Sequence, residues 1–306
     1  MKRDDIFNEK KARPMLLGIS EAFDSSDYLF ELKFDGIRAL LYVDNETIII
    51  NRRNNDETKY FPELSNLHQQ VHKKCILDGE IVCFKDGKPS FHQLLNRHVK
   101  DFAKTNYLAT KIPAVFIVFD ILFLEDNLIT ELPLIQRKEI LNEIVQENEF
   151  INIIRYIENN GKDFFNLIKK EKLEGIVAKN KMSIYQMGKR TVDWLKIKVT
   201  HQENLVICGV IFEADGIIKD LITGVYNKNN KLVYRDKLYL GSNQKNQDFI
   251  QGFVKENKIK SPLFADSSFK DIIWVKPILT CKINYSEKTS SGAWRNPVFK
   301  GFIPST

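Results

Sequence analysis

The feature that most constrains the fold is a set of apolar runs rich in β-branched and aromatic residues. The two longest, KCILDGEIVCF (74–84) and AVFIVFDILFL (114–124), are typical of strands in the buried part of a sheet. Two segments in the first two thirds of the chain, residues 132–150 and 162–175, have the apolar spacing and end residues typical of helices. The pattern therefore predicts an α+β fold built mainly from antiparallel sheets, with few helices.

The stretch YLFELKFDGIRALLYV (28–43) combines this strand pattern with a cluster of charges. Apolar and polar residues alternate as far as Lys33, and the Asp-Gly dipeptide that follows is typical of a tight turn. The sequence therefore predicts a β-hairpin, whose polar face carries Glu31, Lys33, Asp35 and Arg38.

The strand pattern changes after Val199, where the polar segment THQEN interrupts it. Beyond this point, short strand candidates separated by turn residues predict a small antiparallel barrel with one helical insert, residues 246–257. With 306 residues, 43% of them hydrophobic, the chain is long enough to form two cores. We therefore predict two domains, residues 1–199 and 200–306.

Composition argues against several classes of protein. The four cysteines form no CxxC pair, so neither a zinc site nor a disulfide framework is supported. The sequence has no apolar signal-peptide core and no apolar run of about 18 residues, which predicts a cytoplasmic protein without a membrane span. The net charge of +6 suits a polyanionic partner but is also common among ordinary soluble proteins.

Charged residues gather on the predicted strand faces in a combination that suits nucleotidyl transfer. In VDWLKIKV, alternation places Trp194, Lys196 and Lys198 on one face, and Asp78 and Glu80 share a face of another strand. A nucleophile can attack phosphorus when cations neutralise the charge that develops on the phosphate oxygens. Carboxylates are the ligands that Mg²⁺ prefers, and an aromatic ring can hold a base by stacking.

Each feature has a simpler interpretation when it is taken alone. A strand lysine is most often a solvated charge, and Phe119 is more often part of a core than a platform for a base. Glu80 and Glu174 are more often solvated or salt-bridged than catalytic. The pattern Lys-x-Asp-Gly at Lys33 also occurs by chance. The ordered co-occurrence of these features along one chain favours a shared function.

Six motifs occur in an order that closely resembles the motif order of ATP-dependent DNA ligases, within the covalent nucleotidyltransferase superfamily. They are ELKFDGIR, NRRNNDETKYFPEL, LDGEIV, FDILFL, EGIVAKN and YQMGKRTVDWLKIK. The tail resembles the oligonucleotide-binding (OB) barrel of that family, and the similarity extends to compact bacterial and phage ligases and to the ligase module of bacterial end-joining enzymes. The resemblance implies a nucleotidyltransferase domain with ATP-grasp-like antiparallel sheets and helices, followed by an OB-fold domain.

The resemblance also implies a role for individual residues. Lys33 would be the nucleophile that attacks the α-phosphate of ATP, giving lysyl-AMP and pyrophosphate. The implied nucleotide contacts are Glu31 and Phe119 on adenine, Glu80 on the ribose, and Lys196 and Lys198 on the α-phosphate, with Arg190 also reaching the nucleotide. Arg38 and Arg52 would contact the ribose or phosphate region and later the 5′-phosphate of the DNA. Arg53, beside Arg52, is an alternative for that position. Glu80 and Glu174 are the implied ligands of a divalent metal, Mg²⁺ or Mn²⁺.

The implied reaction ends on nicked double-stranded DNA, where AMP passes to the 5′-phosphate and the 3′-hydroxyl then displaces it. The resemblance suits a monomer, and a Ku-like end-joining protein is a further candidate partner. An RNA ligase or a capping guanylyltransferase would use the same lysine chemistry. A nucleic-acid-binding relative with an inactive transferase domain is the alternative from another class.

One departure from the family pattern lies at the end of the sequence. The family continues from PVFKGF into an arginine-x-aspartate-lysine motif, but here Ile303, Ser305 and Thr306 take those three places. The motif orients the pyrophosphate of ATP, so self-adenylylation is predicted to be less efficient unless charges such as Lys300 replace it. A fragment that ends early is the other explanation.

Overall fold

The computed structural model of the chain describes residues 3–99, 101–264, 271–288, 294–295 and 297–303. The chain divides into two units, Met1–Val199 and Thr200–Thr306. Both units combine strands with few helices, and strands dominate, so the expected α+β class is confirmed.

The first unit contains helices between and after its strands. The strands are β1 (Leu16–Ile19), β2 (Ser25–Leu32), β3 (Ile37–Val43), β4 (Thr47–Asn51), β5 (Cys75–Lys85), β6 (Lys88–Pro89), β7 (Ala114–Leu124), β8 (Asn127–Leu128), β9 (Ile151–Ile153), β10 (Tyr156–Asn159), β11 (Gly175–Asn180) and β12 (Arg190–Lys198). The α-helices are α1 (Arg3–Asn8), α2 (Phe91–Arg97), α3 (Phe102–Lys111), α4 (Leu134–Ile144) and α5 (Gly161–Lys170). Short 3₁₀ turns cover Thr58–Tyr60, Pro62–Leu64 and Leu67–Gln70.

The larger sheet of this unit runs in the order β4-β3-β5-β7-β8, with β6 joined to β5 and β9 to β7. Strands β5 and β7, the two long apolar runs, pair antiparallel at its centre. Because side chains alternate along a strand, Leu41 of β3 faces one core while Leu40 and Tyr42 face another. The sheet is therefore buried on both faces, which explains its near-continuous apolar sequence.

The smaller sheet runs in the order β1-β12-β11-β2-β10, and β1 is parallel to β12. One face packs with α5 through residues such as Phe30, Ile168 and Ile197. Trp194 points the other way, into the core that also holds Leu40 and Tyr42 of the larger sheet. The predicted alternation of β12 is confirmed, since Trp194 and Ile197 lie on opposite faces of the sheet.

The predicted hairpin around Asp35-Gly36 is wrong. Strand β2 pairs with β10 and β11, whereas β3 pairs with β4 and β5, so the chain crosses from one sheet to the other between Leu32 and Ile37. A Cβ on Gly36 would lie 2.2 Å from the carbonyl oxygen of Ile81, so the glycine permits a close crossing rather than a two-residue turn. Lys33 stands at the start of this crossing.

The helical segments are shorter than their sequence patterns. Helix α4 ends at Ile144, six residues before the end of the segment 132–150, and β9 begins directly after that segment, at Ile151. Helix α5 ends at Lys170, so Gly175 does not end a helix but begins β11 with a φ of +147°. A Cβ there would lie 2.2 Å from the Ile197 carbonyl oxygen, and this close approach accounts for the glycine.

The second unit is a curled antiparallel sheet with one helix. Its elements are β13 (His201–Phe212), β14 (Ile218–Tyr226), β15 (Leu232–Tyr239), α6 (Gln244–Asn257), β16 (Ile272–Trp274), β17 (Thr280–Tyr285), β18 (Glu287–Lys288), β19 (Trp294–Arg295) and β20 (Val298–Ile303). The order is β15-β14-β13-β17-β20, and the end strands β15 and β20 contact each other. The OB-type barrel is confirmed, and α6 begins two residues before the predicted insert.

Within the described residues, no helix has both the length and the apolar character that crossing a membrane would require.

Candidate active site

A cavity of about 240 Å³ is lined by residues from both sheets of the first unit. The predicted site residues that line it are Lys33, Glu31, Arg38, Arg52, Glu80, Phe119, Arg190, Lys196 and Lys198. Arg53, the alternative to Arg52, is not among the lining residues. The crossing from β2 to β3 explains this convergence, because it places consecutive residues of one motif on two facing sheets.

Lys33 is held at the cavity wall by Glu174, which immediately precedes β11 and is not itself among the lining residues. Its Nζ donates a hydrogen bond of 2.6 Å to Oε2 of Glu174, while Nζ of Lys198 lies 2.7 Å from the other carboxylate oxygen. The Lys33 and Glu174 side chains are only 18% and 16% exposed. Glu174 therefore bridges the two lysines and fixes the position of the Lys33 amine.

Arg38 is fixed by a buried carboxylate. Its Nε and terminal nitrogen donate to the two oxygens of Asp78, at 3.0 and 2.6 Å, and the hydroxyl of Tyr185 donates to the same carboxylate at 2.6 Å. Asp78 is fully buried, and its charge raises the pKa of Arg38 against the effect of burial. A two-pronged pair of this kind sets the plane of the guanidinium group.

The carboxylate of Glu31 is neutralised by two lysines that the sequence did not single out. Lys138 on α4 donates to one oxygen, and Nζ of Lys179 lies 2.7 Å from the other without hydrogen-bond geometry. All three side chains are almost completely buried. Strand alternation could have indicated Lys179, because residues two apart on β11 share a face, and Val177 and Lys179 both line the cavity. No sequence pattern pointed to Lys138.

An aromatic corner lies beside this charged cluster. The ammonium group of Lys179 sits 4.2 Å from the ring centre of Phe119 and 4.1 Å from that of Trp194. Burial lowers the pKa of Lys179 to about 8, against the opposing effect of Glu31. The two rings meet edge to face, with centres 6.4 Å apart. The corner therefore offers an apolar surface with one buried donor next to it.

Lys196 and Arg190 add positive charge along β12. Burial, followed by the charges of Lys198, Arg190 and Lys33, lowers the pKa of Lys196. Arg190 donates to the carbonyl oxygen of Leu17 on β1. The cavity wall formed by this strand is therefore strongly cationic, which suits a phosphate ligand.

Glu80 is a carboxyl group that is largely removed from water and has charges of both signs around it. Burial raises its pKa to about 8, and the charges of Glu174 and Asp78 act in the same direction, against those of Lys33 and Arg38. Within the residues that the structure describes, no group of three or more His, Cys, Asp or Glu side chains forms a metal cluster. Glu80 and Glu174 nevertheless interact electrostatically, so a divalent cation held between them would relieve this repulsion, and the donor set fits such a metal.

Replacing Glu80 by glutamine is expected to remove a pH dependence of folding. Between pH 4.5 and 8 the folded protein keeps a proton on Glu80 that the unfolded chain loses, so the free energy of unfolding falls as the pH rises through this window. Glutamine has no proton to lose. The measurement is urea denaturation without metal. Between pH 5 and pH 8, the free energy of unfolding of Glu80→Gln should rise by roughly 2–4 kcal/mol relative to that of the wild type, at about 1.4 kcal/mol per pKa unit. A difference that stays constant with pH would contradict the raised pKa.

The altered terminal motif is only partly visible. Ile303 is the last residue of β20 and pairs with Thr280 of β17, while Lys300 on the same strand is exposed. Ser305 and Thr306 lie outside the described residues. Of the three positions at which the sequence departs from the family motif, the structure therefore describes only Ile303.

Comparison with known proteins shows similarity across both units. The family model "ATP dependent DNA ligase domain" matches residues 11–198, and "ATP dependent DNA ligase C terminal region" matches residues 214–304. The chain is 32% identical to the SPbeta prophage-derived DNA ligase-like protein LigB of Bacillus subtilis, over 94% of this chain and 98% of that protein.

Other relatives are longer. The chain is 27% identical to the multifunctional non-homologous end joining protein LigD of Mycolicibacterium smegmatis, over 97% of this chain but 40% of that protein. A solved structure of mycobacterial DNA ligase D complexed with ATP and MES is 25% identical with a TM-score of 0.58, covering 98% of this chain and 97% of that one. The names of LigB and of the solved mycobacterial structure include the words DNA ligase, which favours that function over an RNA ligase or a capping enzyme.

Proposed function

The chain belongs to the ATP-dependent DNA ligase family, whose members use ATP and a divalent metal, and we propose that it seals nicks in double-stranded DNA through an adenylate on Lys33. The observation that supports this most directly is the position of Lys33. Its amine lies in a cavity next to a cationic wall, and Glu174 holds it by a single hydrogen bond of 2.6 Å.

In the first step, the Lys33 amine attacks the α-phosphorus of ATP. A bond forms between Nζ and phosphorus, the bond from phosphorus to the bridging oxygen breaks, and pyrophosphate leaves. The ammonium must first lose a proton, and Glu174 Oε2 is the carboxylate within reach to accept it. Lys196 and Lys198 stand where they would stabilise the negative charge on the α-phosphate oxygens.

The base would occupy the aromatic corner. Phe119 supplies a flat apolar surface for stacking on adenine, and Trp194 closes the corner from the side. Glu31, fixed by Lys138 and Lys179, stands at the same wall, where we propose that it orients the base. Arg190 lies along the phosphate side with Lys196.

Glu80 and Glu174 are the residues that would hold the divalent metal, Mg²⁺ or Mn²⁺. When bound, the metal supplies positive charge to the phosphates. Of the two carboxylates, Glu80 is the freer to bind the metal, because no hydrogen bond or ion pair of its side chain is found among the described residues. Glu174 forms ion pairs with both Lys33 and Lys198.

The later steps take place on DNA. AMP is transferred from Lys33 to the 5′-phosphate at the nick, and the 3′-hydroxyl attacks that phosphate, forming the new phosphodiester and releasing AMP. We propose that Arg38 and Arg52 bind the 5′-phosphate, since both line the cavity. Phosphate contacts of this kind make binding weaker at high salt. We further propose that residues 1–199 carry the adenylyltransfer chemistry and residues 200–306 bind DNA.

The partner protein and the assembly state are further proposals. LigD of Mycolicibacterium smegmatis carries the name of an end-joining protein, so a Ku-like protein is the candidate partner, and we propose that the chain acts as a monomer. Co-sedimentation with and without Ku and DNA would test both.

A substrate panel tests the proposed function. The protein is incubated with ATP or GTP and with duplexes nicked in a DNA strand or in an RNA strand. Sealing of nicked DNA with ATP alone is expected. Preference for the RNA nick would identify an RNA ligase, and protein labelling by GTP without sealing would identify a capping-type transferase.

A further inference from the structure

The loop that carries Arg52 is anchored by a polar chain outside the cavity. This loop, residues 52–57, follows β4, and Arg52 from its first position lines the cavity. The loop bends sharply, with Asn54 in the left-handed region at a φ of +65°. Such a loop keeps one shape only if the surrounding contacts determine it.

Asn51, the last residue of β4, directly precedes Arg52 and holds the loop through its side chain. Its side-chain oxygen accepts hydrogen bonds from the backbone N–H of Arg53, at 2.8 Å, and of Asn55, at 3.0 Å. These bonds close the loop around its tip. The Asn51 amide must face the right way to make them, because only its oxygen can accept.

Glu57 fixes the orientation of that amide. The side-chain nitrogen of Asn51 donates to Oε1 of Glu57, whose side chain is only 7% exposed. A carboxylate buried to this extent needs a partner on its second oxygen. That partner is Nε2 of His98, 2.6 Å from Oε2.

His98 lies between α2 and α3, well away from Arg52 in sequence. Its ring stacks on Tyr60, with ring centres 4.1 Å apart, and is thereby fixed in direction. Nε2 must carry the hydrogen, because a carboxylate only accepts. The backbone N–H of His98 donates to the carbonyl oxygens of Leu94 and Leu95 in α2, so His98 completes an uninterrupted chain of hydrogen bonds from α2 to the Arg52 loop.

We propose that His98 is a positioning residue for Arg52, acting through Glu57 and Asn51. The proposal rests on the proposed function of Arg52 as a phosphate contact. Loss of the imidazole leaves one oxygen of Glu57 unpaired, so the carboxylate turns toward water and the Asn51 amide loses its fixed orientation. The loop then opens, and Arg52 spends less time at the phosphate.

The test is a double-mutant cycle on nick sealing, with a matched control. His98→Ala is expected to lower kcat/KM for sealing about tenfold, while His98→Gln, which keeps a donor, stays within about threefold of the wild type. In an Arg52→Ala background, His98→Ala should cost less than about twofold. His92→Ala, an exposed histidine on α2, is the control and should have no effect.

A purely structural role gives a different pattern. Equal tenfold losses with and without Arg52, or no loss on His98→Ala, would overturn the proposal. So would an Arg52→Ala variant that seals as fast as the wild type, because Arg52 would then have nothing to transmit.

Hydrogen exchange gives a readout that does not depend on activity. His98→Ala should speed exchange of the Arg53 and Asn55 amides about tenfold, and His92→Ala should not. Unchanged exchange would overturn the proposal even if the protein failed to seal DNA. Absence of sealing by the wild type would instead count against the proposed function alone.

Discussion

Lys33→Ala is expected to abolish protein adenylylation and to lower nick sealing from ATP by at least about 10³-fold, because the variant has no amine to form the phosphoramidate. The loss should be confined to the steps that use Lys33. A nicked duplex that already carries AMP on its 5′-phosphate needs only the attack of the 3′-hydroxyl, so the variant should seal it within about tenfold of the wild type. Sealing is measured on denaturing gels under single-turnover conditions.

Lys85→Ala is the matched control, because it removes an exposed lysine near the end of β5, away from the cavity lining. It should behave as the wild type on both substrates. Persistence of the protein-bound label in Lys33→Ala would show that another residue is the nucleophile. Equal loss on both substrates would show instead that the substitution damages the site as a whole.

Asp120→Ala is expected to destabilise the first unit by about 3–5 kcal/mol, the usual cost of leaving a buried charge without its partner. Both Asp120 and Arg137 are fully buried, and two hydrogen bonds of 2.8 Å join them. Arg137 also donates to the carbonyl oxygens of Leu132 and Ser183. The measurement is the urea midpoint for unfolding of the first unit.

The exposed pair of Lys73 and Glu125 provides the control for this substitution. Its ion-pair distance of 2.7 Å is similar to that of the buried pair, but both side chains are at least half exposed, so Glu125→Ala should cost less than about 1 kcal/mol. Asp120→Leu combined with Arg137→Met should recover a large part of the stability lost in Asp120→Ala. Similar losses of unfolding free energy in Asp120→Ala and Glu125→Ala would contradict the claim that burial makes the Asp120–Arg137 pair costly to break.

The strands and the cavity face of β12 could be predicted from sequence because they depend on local alternation. Trp194, Lys196 and Lys198 lie on one side of the strand as their spacing of two residues requires. The long apolar runs of β5 and β7 were equally readable, since a strand that is buried on both faces needs apolar residues throughout.

The connection between β2 and β3 could not be read from local pattern. An Asp-Gly dipeptide between two strand-like runs is typical of a hairpin, and nothing nearby shows that each strand pairs elsewhere. The decisive contact is the approach of Gly36 to the Ile81 carbonyl, more than 40 residues away. The proposed function depends on this crossing, because it brings Lys33 and Arg38 to one cavity from two sheets.

The charged groups that support the site residues could not be predicted from the sequence either. Lys138 lies on a helix whose charged residues look solvent-exposed by pattern, yet it reaches the buried Glu31. Its partner is over 100 residues away, so no spacing rule connects them. The Glu57–His98 contact is hidden for the same reason. Motif resemblance finds the groups that we propose to contact the nucleotide, but not the groups that hold them in place.

The measurement that most directly tests the central claim is a pulse and chase with α-labelled ATP and Mg²⁺. The account predicts that wild-type protein retains label through a denaturing gel, and that unlabelled ATP with nicked duplex DNA removes the label as sealed strands appear. Such a result would also show that Ile303 is tolerated in place of the family's arginine. A folded wild-type protein that takes up no label, or that keeps its label while the DNA stays nicked, would contradict the account.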